Sequence, residues 1–233
     1  MLDRYIITVR ENTSQGGCNR MPEEECCREE KRAREFNEIA TTVFAPVYPV
    51  IAGQVLEWTG IREGNAVDAG CGPALLAISI ALQSRLRVYA LDTSPAMLRL
   101  ASGHIRSNGL VRRVVPVLGD VHELPFDDGT VDLVASRGSW FFWDDLSGAF
   151  REVQRVLSPG GYACIGGGFG TPLLKEQVAA AMKSGYSEWE RGVEERMKRN
   201  NPVRIRDEFS RAGITAFRLI EDGTGLWAVF GKE

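Results

Sequence analysis

"AVDAGCGPALLAISIAL", residues 66–82, leaves a short apolar segment through Gly70 and Gly72 and enters an apolar helix at once. Glycine permits a tight turn and lets backbone N–H groups come close to a bound molecule. In sheets built from alternating strands and helices, ligands gather at the carboxyl ends of strands, beside the point where strand order reverses. A strand ending in Val67-Asp68-Ala69, followed by this turn, marks such a place.

Working outward, apolar segments at 66–69, 87–91, 114–118, 131–135 and 162–165 read as strands. Helical patterns follow at 74–83, 95–107 and 146–157, and "SPGG" from Ser158 reads as a turn. This alternation predicts a parallel sheet covered on both faces. The end differs. Segments 214–220 and 225–230 are separated only by Glu221, Asp222, Gly223 and Thr224, so they must run antiparallel. Before the first strand, 36–64 is amphipathic and helical, with breaks expected at Pro46 and Pro49. The expected class is α/β: a doubly wound, Rossmann-like, mostly parallel sheet with a C-terminal antiparallel hairpin and an N-terminal helical cap. Residues 1–35 read as a charged N-terminal arm and 36–233 as one domain. Within that domain lie the cap (36–64), a ligand-binding core (65–170), a lid helix (171–200) and a C-terminal helix and hairpin (201–233).

The chain has 233 residues, 44% of them hydrophobic, enough for one full core. Its 28 Lys+Arg against 31 Asp+Glu give a net charge of −3, which argues against sequence-independent nucleic-acid binding. No basic segment leads into an apolar run near the N-terminus, and no window reaches the length of a membrane span. The expected location is cytoplasmic, with neither nucleic acid nor membrane as partner. Cys18, Cys26, Cys27, Cys71 and Cys164 are accordingly expected as thiols.

The two glycines alone do not choose among a dinucleotide, a nucleoside triphosphate and another adenosine-bearing molecule. Asp92 narrows the choice. It ends the second strand in "VYALD", 20 residues past Gly72 (92 − 72 = 20), where a carboxylate accepts hydrogen bonds from ribose hydroxyls. The plain alternative is that Asp92, Thr93 or Ser94 caps the helix that begins at Pro95. A nicotinamide dinucleotide fingerprint wants a third glycine where Leu75 stands, and no Gly-Lys-Ser/Thr triplet of a P-loop is present. The third strand ends in "VLGDVHELPF", placing Asp120 at the same edge, where a carboxylate can accept from an adenine amino group while the Val121 N–H meets a ring nitrogen.

"VDAGCGPA", "ALDTSPAML", "GDVHELPF", "DLVASRG" and "REVQRVLSPGG" together resemble the successive motifs of class I S-adenosylmethionine-dependent methyltransferases. The resemblance runs in register over residues 65–165. It implies S-adenosyl-L-methionine as cofactor. It also implies that Asp68, Gly70, Cys71 and Gly72 surround the methionine end, and that Asp92 with Thr93 holds the ribose. Met97 would then pack on the adenine, Asp120, Val121 and His122 would complete the adenine site, and Ser136 and Arg137 would face the sulfonium. Ala74 stands where many members carry a further glycine.

Methyl transfer is an in-line displacement governed by alignment and water exclusion, and it needs a base only when the acceptor must lose a proton. The two histidines read as a surface residue (His104) and a loop residue against adenine (His122); no catalytic residue is assigned and no metal is expected. Phe44, Tyr48, Trp140 and Phe141 are candidates for the pocket of a small-molecule acceptor. Neighbours in the run Trp140-Phe141-Phe142-Trp143 cannot all face one site, so half of that run is expected in the core. Met182, Tyr186, Trp189 and Met197 fit either a second wall or plain packing. Two rival readings remain. Cys18, Cys26 and Cys27 could hold an arsenite-type metalloid as thiolates, or the fold could bind S-adenosylmethionine without turnover. Oligomeric state is left open.

Overall fold

A computed structural model describes residues 23–185 and 189–233. Seven strands form one sheet: β1 (Asn65–Ala69), β2 (Arg87–Asp92), β3 (Val114–Leu118), β4 (Val131–Arg137), β5 (Leu157–Gly168), β6 (Phe217–Glu221) and β7 (Gly225–Gly231). Their order is β3-β2-β1-β4-β5-β7-β6. The first five are mutually parallel, whereas β7 pairs antiparallel with both β5 and β6. Strand order therefore reverses between β1 and β4, which puts the crevice just past Ala69 and Arg137.

Burial follows from the two-residue period of a strand. On β1, Ala66 joins the hydrophobic cluster on one face and Val67 the cluster on the other. The first face is covered by α2 (Val47–Thr59), α3 (Leu75–Gln83) and α4 (Pro95–Ser107), and α3 is apolar nearly all round because it lies between the sheet and α2. The second face carries α5 (Leu146–Val156) and α8 (Pro202–Ala212). The helical spacing of Leu146, Ala149, Phe150, Val153 and Val156 gives α5 a single buried stripe. Phe150 and Phe209 stack at 4.4 Å to join those two helices.

Several expectations change. Helix α1 (Glu23–Thr42) begins inside the stretch read as an arm, whose residues 1–22 lie outside the described residues. Pro46 is the N-cap of α2, but Pro49 sits in the first turn of α2, where its missing N–H has no helical acceptor to lose, so it breaks nothing. Residues 158–161 stay within the long strand β5. The lid is two helices, α6 (Pro172–Gly185) and α7 (Trp189–Arg199). Gly213, at φ +76°, ends α8, and the final hairpin starts at Phe217 instead of Ile214. Among the described residues no single helix is long and apolar enough to cross a membrane.

Candidate active site

The turn after β1 is fixed by its neighbours. Gly70 N and Cys71 N both donate to Leu91 O, at 2.8 and 2.9 Å, tying the turn to the end of β2. Gly70 has φ +71°, and a Cβ there would lie 2.4 Å from Ser139 Cβ. Only glycine lets the β1 and β4 loops approach this closely. Ala74 closes the turn at φ 64°, a left-handed position costing an L-residue roughly 1–2 kcal/mol.

Asp92 organises the next edge. Its Oδ2 accepts from Gly72 N at 2.8 Å and its Oδ1 from Ser94 N at 2.9 Å. Each oxygen retains a lone pair for a further donor. The helix cap is Ser94, whose Oγ accepts from Met97 N at 3.2 Å, so the two roles left open for this segment fall on different residues. Burial raises the pKa of Asp92, against the pull of the backbone donors at Ser94, Gly72 and Thr93.

These groups line a cavity of about 740 Å³, reached also by Met97, Asp120, Val121 and His122. Asp120 Oδ1 accepts from His122 N at 2.9 Å and lies 2.6 Å from His122 Nδ1; His122 Nε2 lies 3.1 Å from Asp145 O. Burial pushes Asp120 up, but the His122 hydrogen bonds outweigh it and hold the carboxyl below its usual range. Helix α1 roofs the cavity. Phe36 lies above Gly72, and Glu29 accepts from Ser94 Oγ at 2.5 Å.

A second cavity, about 430 Å³, opens beside the first and is lined by Phe44, Phe141, Phe169 and Met182 among others. Phe36, Arg137, Gly138 and Phe142 belong to the walls of both. Gly138 has φ +79° and open space where a Cβ would stand, so nothing fills the passage at that point.

Of the expected cofactor residues, Gly70, Gly72, Asp92, Thr93, Met97, Asp120, Val121, His122 and Arg137 line the first cavity. Asp68, Cys71 and Ser136 do not; they lie beneath it. Asp68 is 1% exposed, its Oδ2 accepts from Ala77 N at 3.0 Å, and burial raises its pKa to about 7. Ser136 is fully buried and hydrogen-bonds Ser139 at 2.5 Å. Cys71 Sγ donates to Gly72 O.

The acceptor candidates divide likewise. Phe44 and Phe141 line the second cavity. Trp140 is 1% exposed within the second-face cluster, because the 3₁₀ turn 140–142 directs it inward. Tyr48 lines neither cavity; its ring packs against Arg137, whose Cζ lies 5.3 Å from the ring centroid. Met182 lines the second cavity, Tyr186 lies outside the described residues, and the side chains of Trp189 and Met197 are likewise not described. Cys26 is disulfide-bonded, so the expectation of five thiols fails there; Cys27 is an exposed thiol bordering neither cavity, and Cys18 lies outside the described residues. Phe36, Gly138 and Ser139 were not expected at the site, whereas Phe142, one of the four neighbouring aromatics considered for it, lines both cavities.

Comparison with known proteins agrees with this geometry. A family model described as a methyltransferase domain matches residues 67–165. A solved structure from Methanococcus maripaludis, described as a "putative S-adenosyl-L-methionine-dependent methyltransferase", is 37% identical with a TM-score of 0.84, covering 87% of this chain and 93% of its own. The chain belongs to the S-adenosylmethionine-dependent methyltransferases. The ubiquinone/menaquinone biosynthesis C-methyltransferase UbiE of Idiomarina loihiensis is 31% identical to this methyltransferase over 113 residues, 47% of this chain and 45% of that enzyme. Norajmaline N-methyltransferase of Rauvolfia serpentina is 32% identical over 99 residues, 42% of this chain and 34% of that enzyme. The matches thus span less than half the length of these relatives. The family's cofactor is S-adenosylmethionine, and the methyltransferase's first cavity fits it: a doubly accepting carboxylate stands at the end of β2, beside a glycine turn that lines the same cavity.

Proposed function

We propose that this chain transfers the methyl group of S-adenosylmethionine to a small-molecule acceptor. The observation that carries the reading is the wall shared by the two cavities, formed by Phe36, Arg137, Gly138 and Phe142 at the strand-order reversal. When bound, the cofactor supplies an electrophilic methyl on a sulfonium, whose C–S bond breaks as the acceptor's lone pair forms the new bond. Asp92 holds the ribose hydroxyls, and the turn from Gly70 to Gly72, held in place by Leu91 O and Asp92, lies against the methionine end. Met97, Asp120, Val121 and His122 enclose the adenine. Asp68, Cys71 and Ser136 support that turn from beneath. Phe36 and Phe142 are exposed, and cofactor and acceptor bound against them would cover them and exclude water from the shared wall, which strengthens alignment and removes a competing nucleophile.

A second cavity directly adjoining the first favours turnover over mere cofactor binding. The metalloid reading lacks support at the site, because neither Cys26 nor Cys27 borders either cavity. Calorimetry tests the cofactor: S-adenosylmethionine and S-adenosylhomocysteine should bind, and NAD and ATP should not. Binding of NAD with no response to S-adenosylhomocysteine would overturn the reading.

A further inference from the structure

The shared wall holds a single titratable group, Arg137, since its other members are Phe36, Gly138 and Phe142. The holders of Arg137 face the second cavity. Its Nε donates to Gly168 O at 3.1 Å, and its Cζ lies 4.8 Å from the ring centroid of Phe44; both partners line that cavity and not the first. Tyr48 supports it from α2, with the Cζ 5.3 Å from its ring centroid. Among the described residues no carboxylate is paired with it; the side chains against its charge are the rings of Phe44 and Tyr48. A guanidinium partly withdrawn from water with no counter-ion is costly, and an incoming anion would relieve that cost. Its planar fork matches a carboxylate.

The same wall holds no base. His122 lines only the first cavity and both its ring nitrogens are engaged, with Asp120 and with Asp145 O. Glu221 and Lys175 line only the second, and Lys175 Nζ donates to Gly223 O at 2.6 Å. An acceptor at this wall must therefore arrive already nucleophilic. An amine is mostly ammonium at neutral pH, and that form is repelled by the fixed cation; an alcohol would need a base. A carboxylate needs neither, since it is deprotonated at neutral pH and attracted to Arg137. Away from Glu221, Lys175 and Thr224 the cavity wall suits an apolar body, with Phe44 and Phe169 stacked at 6.2 Å along one side.

We propose, resting on the methyltransferase reading above, that the acceptor is an apolar carboxylic acid methylated on its carboxylate, which Arg137 receives at the shared wall. A carboxylate oxygen's lone pair forms the new C–O bond, the C–S bond breaks, and sulfur keeps the electron pair as a neutral thioether. The product is a methyl ester and no proton is released. Losing its charge also loosens the product from Arg137, which favours its departure.

The test uses the full chain saturated with S-adenosylhomocysteine, titrated with cinnamate and naphthoate and with the matching carboxamides. The acids should bind at least about tenfold more tightly than the amides, the scale of a charge-assisted pair. Arg137→Gln should abolish that preference and Arg137→Lys should keep part of it, the acid-to-amide ratio being read for each variant at saturating S-adenosylhomocysteine so that any change in cofactor affinity drops out. Methyl-labelled cofactor should yield base-labile methyl ester from an acid that binds. Equal binding of acids and amides by the wild-type chain, a measurement that needs no variant, would overturn the proposal. So would an Arg137→Gln variant that loses cofactor affinity but keeps the preference, since Arg137 would then serve the cofactor's own carboxylate. Failure of S-adenosylhomocysteine to bind the wild-type chain would instead sink the methyltransferase reading beneath it.

Discussion

Asp92→Asn tests the cofactor site with the least change of shape. The carboxylate holds Gly72 N with one oxygen and Ser94 N with the other. Asparagine keeps one acceptor and replaces the other with a donor, so one of these N–H groups loses its partner and the ribose loses a charged acceptor. Hydrogen bonds to charged groups contribute about 1.5–3 kcal/mol each. For the cofactor this corresponds to a dissociation constant raised about 10- to 150-fold. The apo protein should suffer less, because burial already disfavours the charged carboxylate and its removal offsets part of the lost bond. Isothermal titration with S-adenosylhomocysteine, which carries no transferable methyl, reads the affinity, and thermal melting reads the fold. Asp120→Asn is the control. Asp120 is exposed and tied to His122, so it should cost less than about fivefold in affinity. An Asp92→Asn variant that binds within twofold of wild type, with unchanged melting, would refute the assignment of Asp92.

Asp68 predicts a pH dependence. Its folded pKa of about 7 lies above its unfolded value, so its contribution is fully present below about pH 4 and is lost as pH rises through 7. Asp68→Asn should therefore gain stability relative to wild type as pH rises from about 4 to 7, by up to about 1.4 kcal/mol per pH unit, and level off above that, in urea titrations of the apo protein; a constant difference across that range would contradict the burial argument. Trp140→Ala should cost about 3–5 kcal/mol of stability by emptying a core position. Phe142→Ala, at a residue 73% exposed, should melt within about 0.5 kcal/mol of wild type yet weaken acceptor binding; the reverse ordering would mean the two aromatics are assigned the wrong way round.

What the sequence made legible was local in origin. The glycine turn, Asp92 at the end of β2 and the cap at Ser94 depend on residues near one another along the chain, and they stand where spacing put them. Asp68 and Ser136 lie beneath the cavity instead of lining it because a strand's last side chains alternate between the crevice and the core, and motif spacing does not say which way each points. Trp140 and Phe142 exchange roles for a similar reason: only the 3₁₀ turn decides which ring of Trp140-Phe141-Phe142-Trp143 is buried. Phe36 and Gly138 could not be found by any local signal. They meet at the shared wall through the docking of α1 and the approach of the β1 and β4 loops, contacts between segments far apart in sequence. Arg137 was legible as a site residue, but its orientation comes from Phe44 and Gly168, which only the fold brings beside it.

The central claim is that cofactor and acceptor meet across the wall of Phe36, Arg137, Gly138 and Phe142. The most direct measurement binds S-adenosylmethionine carrying an isotope-labelled methyl group and records through-space NMR contacts from that methyl to the protein. The account predicts contacts to the Gly138 α-protons and the Phe142 ring. Contacts confined to Asp120 and His122, which line the first cavity but not the second, would contradict it.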